Sequence, residues 1–134
     1  MAKGPLYGVV PIQHTTVIAA GAIPAYRVVT RGAINTTTQG QTAQLPAAAT
    51  TPFFGASNNL IDAVAGDQVH IIQTGQAIGT ANIAIARGDK LITDVNGKLG
   101  PALDVVGEQH IGIASEAAGA DGDRFTYEIR PYIR

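Results

Sequence analysis

The stretch Ile111 to Ile129, IGIASEAAGADGDRFTYEI, holds an apolar run, a turn of small residues ending in Gly122-Asp123, and a last run in which Phe125, Tyr127 and Ile129 alternate with polar residues. Alternation at period two is the mark of a half-buried strand. The chain has already made this pattern once, as FGASNNLIDAVAGDQVHI from Phe54 to Ile71. Gly55 answers Gly112, Ala56-Ser57 answers Ala114-Ser115 after a one-residue gap, Gly66-Asp67 answers Gly122-Asp123, and Val69 and Ile71 answer the later alternating run. Upstream, Ala22-Ile23 and Val28-Val29-Thr30 match Ala84-Ile85 and Leu91-Ile92-Thr93. Copies of about 55 to 60 residues bury only ~60% of their unfolded surface, so the two are halves of one core. The pattern predicts an all-β fold, a small barrel or sandwich of two tandem half-repeats behind an extended N-terminal arm. The expected bounds are 1–16 for the arm and 17–134 for a single β domain, with half-repeats at about 17–76 and 77–134 and a long loop over 32–52.

Composition supports this. Apolar residues make up 46% of the 134, drawn from small and β-branched types, with three Phe, four Tyr and no Trp. Charged residues are only 14%, against a usual ~25%, and the 16 Gly and 7 Pro supply frequent turns. The net charge of −1 provides no field for nucleic acid or an anionic membrane. Its distribution is uneven: residues 1–61 carry Lys3, Arg27 and Arg31 and no acid, while all ten carboxylates lie between Asp62 and Glu128. Surfaces destined for protein contact are depleted in charge, which makes the leading half the expected contact region. With no Cys there are no disulfides, thiol catalysis or thiolate metal sites. Met1-Ala2-Lys3-Gly4-Pro5 does not read as a secretory signal, and no apolar run approaches the ~20 residues of a membrane helix.

Pro5 and Pro11 keep the first 16 residues out of a sheet interior. Val17–Ala22 and Tyr26–Thr30 read as short strands, and 32–52 as a neutral Thr/Gln/Ala loop or loose hairpin of Ile34–Thr38 against Gln41–Leu45. Asn58–Gly66 has room for one helical turn with Leu60, Ile61 and Val64 on a shared face. Asn96-Gly97 between apolar runs predicts a tight hairpin. The returning run Leu99–Val106 contains Pro101 and is expected at an edge or as an interrupted strand.

A search for chemistry finds little. His14, His70 and His110 stand far apart without metal-ligand spacing. Asp94-Val95-Asn96-Gly97 has its glycine in the wrong place for a calcium loop. Asp121-Gly122-Asp123 repeats Gly66-Asp67 and is read as a turn. Ser57 and Ser115 sit in no nucleophile elbow, and no phosphate-binding loop or basic-aromatic surface occurs. No catalytic residue, cofactor site, metal site or nucleic-acid footprint is expected.

The segment from Ala84 to Lys98, AIARGDKLITDVNGK, followed by Ile111-Gly112-Ile113-Ala114-Ser115-Glu116-Ala117-Ala118 and then Gly122-Asp123, resembles the small capsid decoration (cement) proteins of tailed bacteriophages. The resemblance covers roughly residues 54–130. It departs at Arg87, where that family more often has a small residue, and in the long neutral first half. The resemblance implies no enzyme and no cofactor, attachment to the outer surface of an icosahedral head, and homo-oligomers, trimers before dimers. The major capsid protein is the implied partner; no nucleic acid or membrane is. The expected capsid contacts are Lys3, Leu6, Tyr7, Val9, Val10 and Ile12 in the arm, and Thr37, Gln39, Gln41 and Leu45 in the loop. The alternative is a carbohydrate- or receptor-binding β module on a virion or cell surface.

Overall fold

The structure, a computed structural model, describes residues 14–32 and 41–133. It contains ten β-strands among these residues and no helix. The first half holds β1 (His14–Ala19), β2 (Val28–Arg31), β3 (Thr42–Gln44), β4 (Gly55–Ser57) and β5 (Gln68–Ile72). The second holds β6 (Gly75–Thr80), β7 (Lys90–Thr93), β8 (Leu99–Pro101), β9 (Gln109–Ala114) and β10 (Arg124–Ile133).

The first five strands form a closed barrel in the order β1-β3-β2-β4-β5, with β1 parallel to β3 and antiparallel to β5. The second five form a sheet in the order β6-β10-β9-β7-β8. Read in a circle, that is the same order. The end strands β6 and β8 are brought together by one parallel bridge, Ala81 to Leu99, matching the parallel closure of the first barrel. The predicted duplication is therefore present, with the first half closed as a small barrel and the second a five-stranded sheet of the same strand order.

Ladder registers correct the alignment of the copies in detail. Val29 pairs with Gly55 as Leu91 pairs with Gly112, so Val28 corresponds to Lys90 rather than Leu91. Ser57 pairs with Ile71 as Ala114 pairs with Tyr127, so Ser57 corresponds to Ala114 and not Ser115. A one-residue slip is invisible to a comparison of small residues, yet in a sheet it sends every side chain to the opposite face.

The turns recur for a local reason. In Val64–Asp67, Ala86–Asp89 and Ala120–Asp123 the last amide donates to the first carbonyl at 3.1 Å. Each closing aspartate returns its carboxylate to the first residue's N–H, at 3.0, 2.9 and 3.1 Å. The residue before each aspartate, Gly66, Gly88 or Gly122, has positive φ, as such turns require. In the first copy Tyr26 occupies the place of Gly88 and takes φ 55° despite its side chain. Its ring lies 4.8 Å beneath the Arg124 guanidinium of the other half, a contact that offsets part of the strain.

The halves pack against each other through β2 and the β7–β8 hairpin. In the first barrel the amide of Ile18 donates to Gln41 O at 3.0 Å; at the corresponding place in the second, Gly97 O receives the amide of Val28 at 2.9 Å. The second sheet is thus flanked at its β7–β8 hairpin by β2 of the first half. Arg27 Nη1 donates to Asn96 O at 2.9 Å and Thr80 Oγ1 to Tyr26 O at 3.1 Å across the same joint. Val28 and Ala56 belong to the apolar cluster built around Leu91, Leu99, Ile111, Phe125 and Tyr127, while Val17, Ile23, Val29, Val69 and Ile71 form the first barrel's own core.

Gly97 has φ 72°, and a Cβ there would stand 2.6 Å from Val28 O and 2.9 Å from Arg27 Cβ. Gly97→Ala is expected to cost ~2–3 kcal/mol from strain and crowding together, and to speed hydrogen exchange of the Val28 amide. An unchanged Val28 exchange rate would show that the joint does not depend on this contact.

Two expected elements differ. Asn58–Gly66 makes no helical turn: Asn59 Nδ2 donates to Ile23 O and Ile61 O, both at 2.9 Å, and Ala63 bridges to Ile23. These bonds hold the segment as an extended loop, and Leu60, Ile61 and Val64 are exposed instead of sharing a packed face. The run Leu99–Val106 ends as a strand at Pro101, which has no amide to continue the ladder. β8 does stand at the end of its sheet, as the proline required.

Candidate binding surface

The polar groups weighed as chemistry are occupied by structure. Asp94 Oδ1 accepts the amides of Asn96 at 2.8 Å and Lys98 at 3.0 Å, and Oδ2 accepts Asn82 Nδ2 at 3.1 Å, so the hairpin explains it. Asp123 holds the amides of Gly119 and Ala120. Asp121 lies 2.8 Å from Lys98 Nζ, whose hydrogen bond and charge hold its carboxyl below the ordinary value. Ser57 is buried and accepts the Arg27 amide at 2.9 Å. Among the described residues no three His, Asp or Glu side chains converge as a metal site. Burial holds the Tyr127 hydroxyl protonated above the usual phenol range.

A buried polar cluster around Glu108, Gln109 and His110 is structural in form. Glu108 Oε2 accepts the Leu103 amide and Oε1 the Asp104 amide, each at 3.1 Å, and Oε1 also lies 3.0 Å from His110 Nε2. The Tyr132 ring packs edge-on against His110 at 4.6 Å. Gln109 ties three elements: its amide nitrogen donates to His110 O and Tyr132 O, its backbone N–H donates to Ala49 O, and its Oε1 accepts from Phe53 N. The sequence shows Glu108-Gln109-His110 but not that it is internal.

Of the expected contact residues, Lys3, Leu6, Tyr7, Val9, Val10, Ile12, Thr37 and Gln39 lie outside the described residues. β1 begins at His14, so residues 14–16 are paired in the barrel. Gln41 is exposed and its Oε1 accepts Arg31 Nη1 at 2.9 Å. Leu45 is half-buried and faces Gly97 at the joint between the halves. Gln41 thus faces outward, while Leu45 is part-covered at the joint.

The surface that sequence reading missed is aliphatic. Leu60, Ile61 and Val64 project from the β4–β5 loop, with Ile61 77% exposed. In the second half Ile83, Val95, Leu103, Val105 and Val106 are exposed, Val106 to 86%. Ile83, Ile92, Val95, Pro101, Ala102 and Leu103 wall a groove of about 530 Å³. Single exposed aliphatics are ordinary, whereas grouped ones mark contact surfaces. The available signal was their position: branched aliphatics inside turn segments rich in Asn, Asp and Gly serve no turn geometry. No aromatic platform accompanies them among the described residues. Phe54, Phe125 and Tyr127 are buried, Tyr26 lies under Arg124, and Tyr132 packs on His110.

No family model and no curated protein matches the chain. Among solved structures, the fold is similar to that of the head fiber gp8.5 N base of bacteriophage phi29, with a TM-score of 0.65, 21% identity, and coverage of 90% of this chain and 95% of that one. The likeness spans both half-repeats and establishes the architecture they form together.

Proposed function

We propose that the chain is a structural protein of a tailed-phage virion, held on the outer surface of the head by binding the major capsid protein and stabilising the shell. The observation that carries this reading is the fold likeness over 90% of the chain to the base of a phage head fiber. The decoration-protein motifs from Ala84 to Asp123 support the same reading independently of the fold. So does the occupation of each polar constellation by turns and joints, which leaves no group poised for catalysis among the described residues. Among the described residues no exposed aromatic platform favours the carbohydrate-binding alternative.

In this reading the arm ahead of β1 and the loop over 35–52 make the grip, with Lys3, Leu6, Tyr7, Val9, Val10 and Ile12 in the arm and Thr37, Gln39, Gln41 and Leu45 in the loop. An uncharged extended segment gains affinity by burying aliphatic side chains or adding a strand to a sheet edge. Repetition around a symmetric shell multiplies a modest contact. The protein acts as a homo-oligomer, a trimer before a dimer.

The test uses empty heads of the phage that encodes the protein. Full-length protein is expected to bind them and raise their resistance to heat. Deleting residues 1–12 leaves β1 whole, since it begins at His14, so circular dichroism is unchanged while head binding falls roughly 100-fold. Failure of the full-length protein to bind removes the proposed function; equal binding by both forms removes the arm.

A further inference from the structure

The two copies of the repeat act as controls for one another. What the fold needs recurs in both, and an exposed aliphatic present in only one copy answers to something else. Asn82 N–H donates to Leu99 O as Ala20 N–H does to Ala43 O, which places Ile83 where the first copy has Gly21. The β8 and β3 registers place Leu103 where the first copy has Ala47. The β4–β5 loop shows the reverse. Asn59-Leu60-Ile61-Asp62 stands where the second copy has only Glu116-Ala117, between the matched amides of Asn58 and Ser115 and the matched bridges of Ala63 and Ala118. Val64 takes the place of Ala120. The first half has gained an aliphatic projection, and the second has gained the walls of an aliphatic groove.

We propose that Leu60, Ile61 and Val64 of one copy seat in the groove formed by Ile83, Ile92, Val95 and Leu103 of the next, a head-to-tail contact between copies of this chain. Both surfaces are aliphatic. The only charge in the groove, Asp94, already has both oxygens engaged by Asn82, Asn96 and Lys98. Within one copy the projection and the groove both stay exposed, so they do not satisfy each other there. Every copy brings one of each, which is the requirement for a heterologous contact that closes into a ring or runs on. Three aliphatic side chains against a groove cover less than the ~1,200 Å² at which specific pairs become stable. The contact is accordingly weak between free copies and completes where copies are held side by side at high effective concentration. It is read on free protein and stands or falls separately from head binding.

The chain has no cysteine, so single thiols report cleanly. Ile61→Cys and Leu103→Cys proteins, mixed at high concentration with a short thiol-to-thiol cross-linker, are expected to give a covalent mixed dimer at least tenfold in excess of either protein alone. Adding Ile83→Glu to the Leu103→Cys copy abolishes that product, with circular dichroism confirming the fold. A chain bearing both cysteines gives a ladder or one closed oligomer. Self-linking of either single variant as strong as the mixture overturns the proposal. So does absence of the mixed product when thiol titration shows both cysteines reactive.

Discussion

Gly112→Ala is expected to destabilise the protein by ~3–5 kcal/mol, lowering Tm by roughly 10–20 °C. Gly112 lies in β9, paired to Leu91 on one side and Ile129 on the other. A methyl group there would enter the carbonyl oxygen of Glu128 and come within 3.2 Å of Ile129 Cα. Both obstacles are backbone of a paired strand, so relief requires β9 and β10 to separate. Gly55 is the same position in the first copy, but there the foremost obstacle is a methyl of Ile71, with Ile72 O at 3.0 Å. A side chain adjusts more readily than a ladder, so Gly55→Ala is expected to lose about half as much. Thermal melts of both variants decide this. A Gly112→Ala melt within ~1 kcal/mol of wild type would show that the strands do not approach as described.

Glu108→Ala is expected to cost a comparable ~3–5 kcal/mol, the range for removing one member of a buried polar pair. Glu108 and His110 are 4% and 1% exposed, so water does not replace the lost carboxylate. The substitution strands the Leu103 and Asp104 amides and His110 Nε2 together, in a ring whose Nδ1 already has no partner. Glu108→Gln should recover part of the loss, because its amide oxygen still accepts while its NH2 faces donors. Hydrogen exchange at Leu103 and Asp104 is the specific readout. Amides that stay protected in the alanine variant would refute the assigned role whatever the melt shows.

How far these features were readable in the sequence follows from which interactions are local. The Gly-Asp turns were, because each depends on a glycine that tolerates positive φ and an aspartate that reaches back along its own turn. The same residues exposed the duplication. Strand alternation at Val69-Ile71 and Phe125-Tyr127 was equally plain. Closure of a barrel was not, since it rests on β1 lying parallel to β3, a pairing between distant residues that leaves no local mark. Asn58–Gly66 misled because Leu60, Ile61 and Val64 have helical spacing, whereas the deciding bonds run from Asn59 to Ile23 and Ile61. Glu108 does not stand out in the sequence and His110 shows only its lack of metal-ligand spacing, because burial of a polar pair depends on what folds over it. The aliphatic groove belongs to the same class: its walls come from the β6–β7, β7–β8 and β8–β9 connections, which only tertiary packing assembles.

The unequal seams of the two halves bear on how the polypeptide comes off the ribosome. The leading half uses Gln41 to receive its own Ile18, whereas the trailing half leaves that role at Gly97 to Val28 of its predecessor. The seam of the portion translated first therefore closes with that portion's own residues, and its β2 is then in place to receive the portion translated second. Domains mature in the order of their synthesis, so this asymmetry runs in the favourable direction; a gene with the halves transposed would make the dependent one wait, unfinished, for its support.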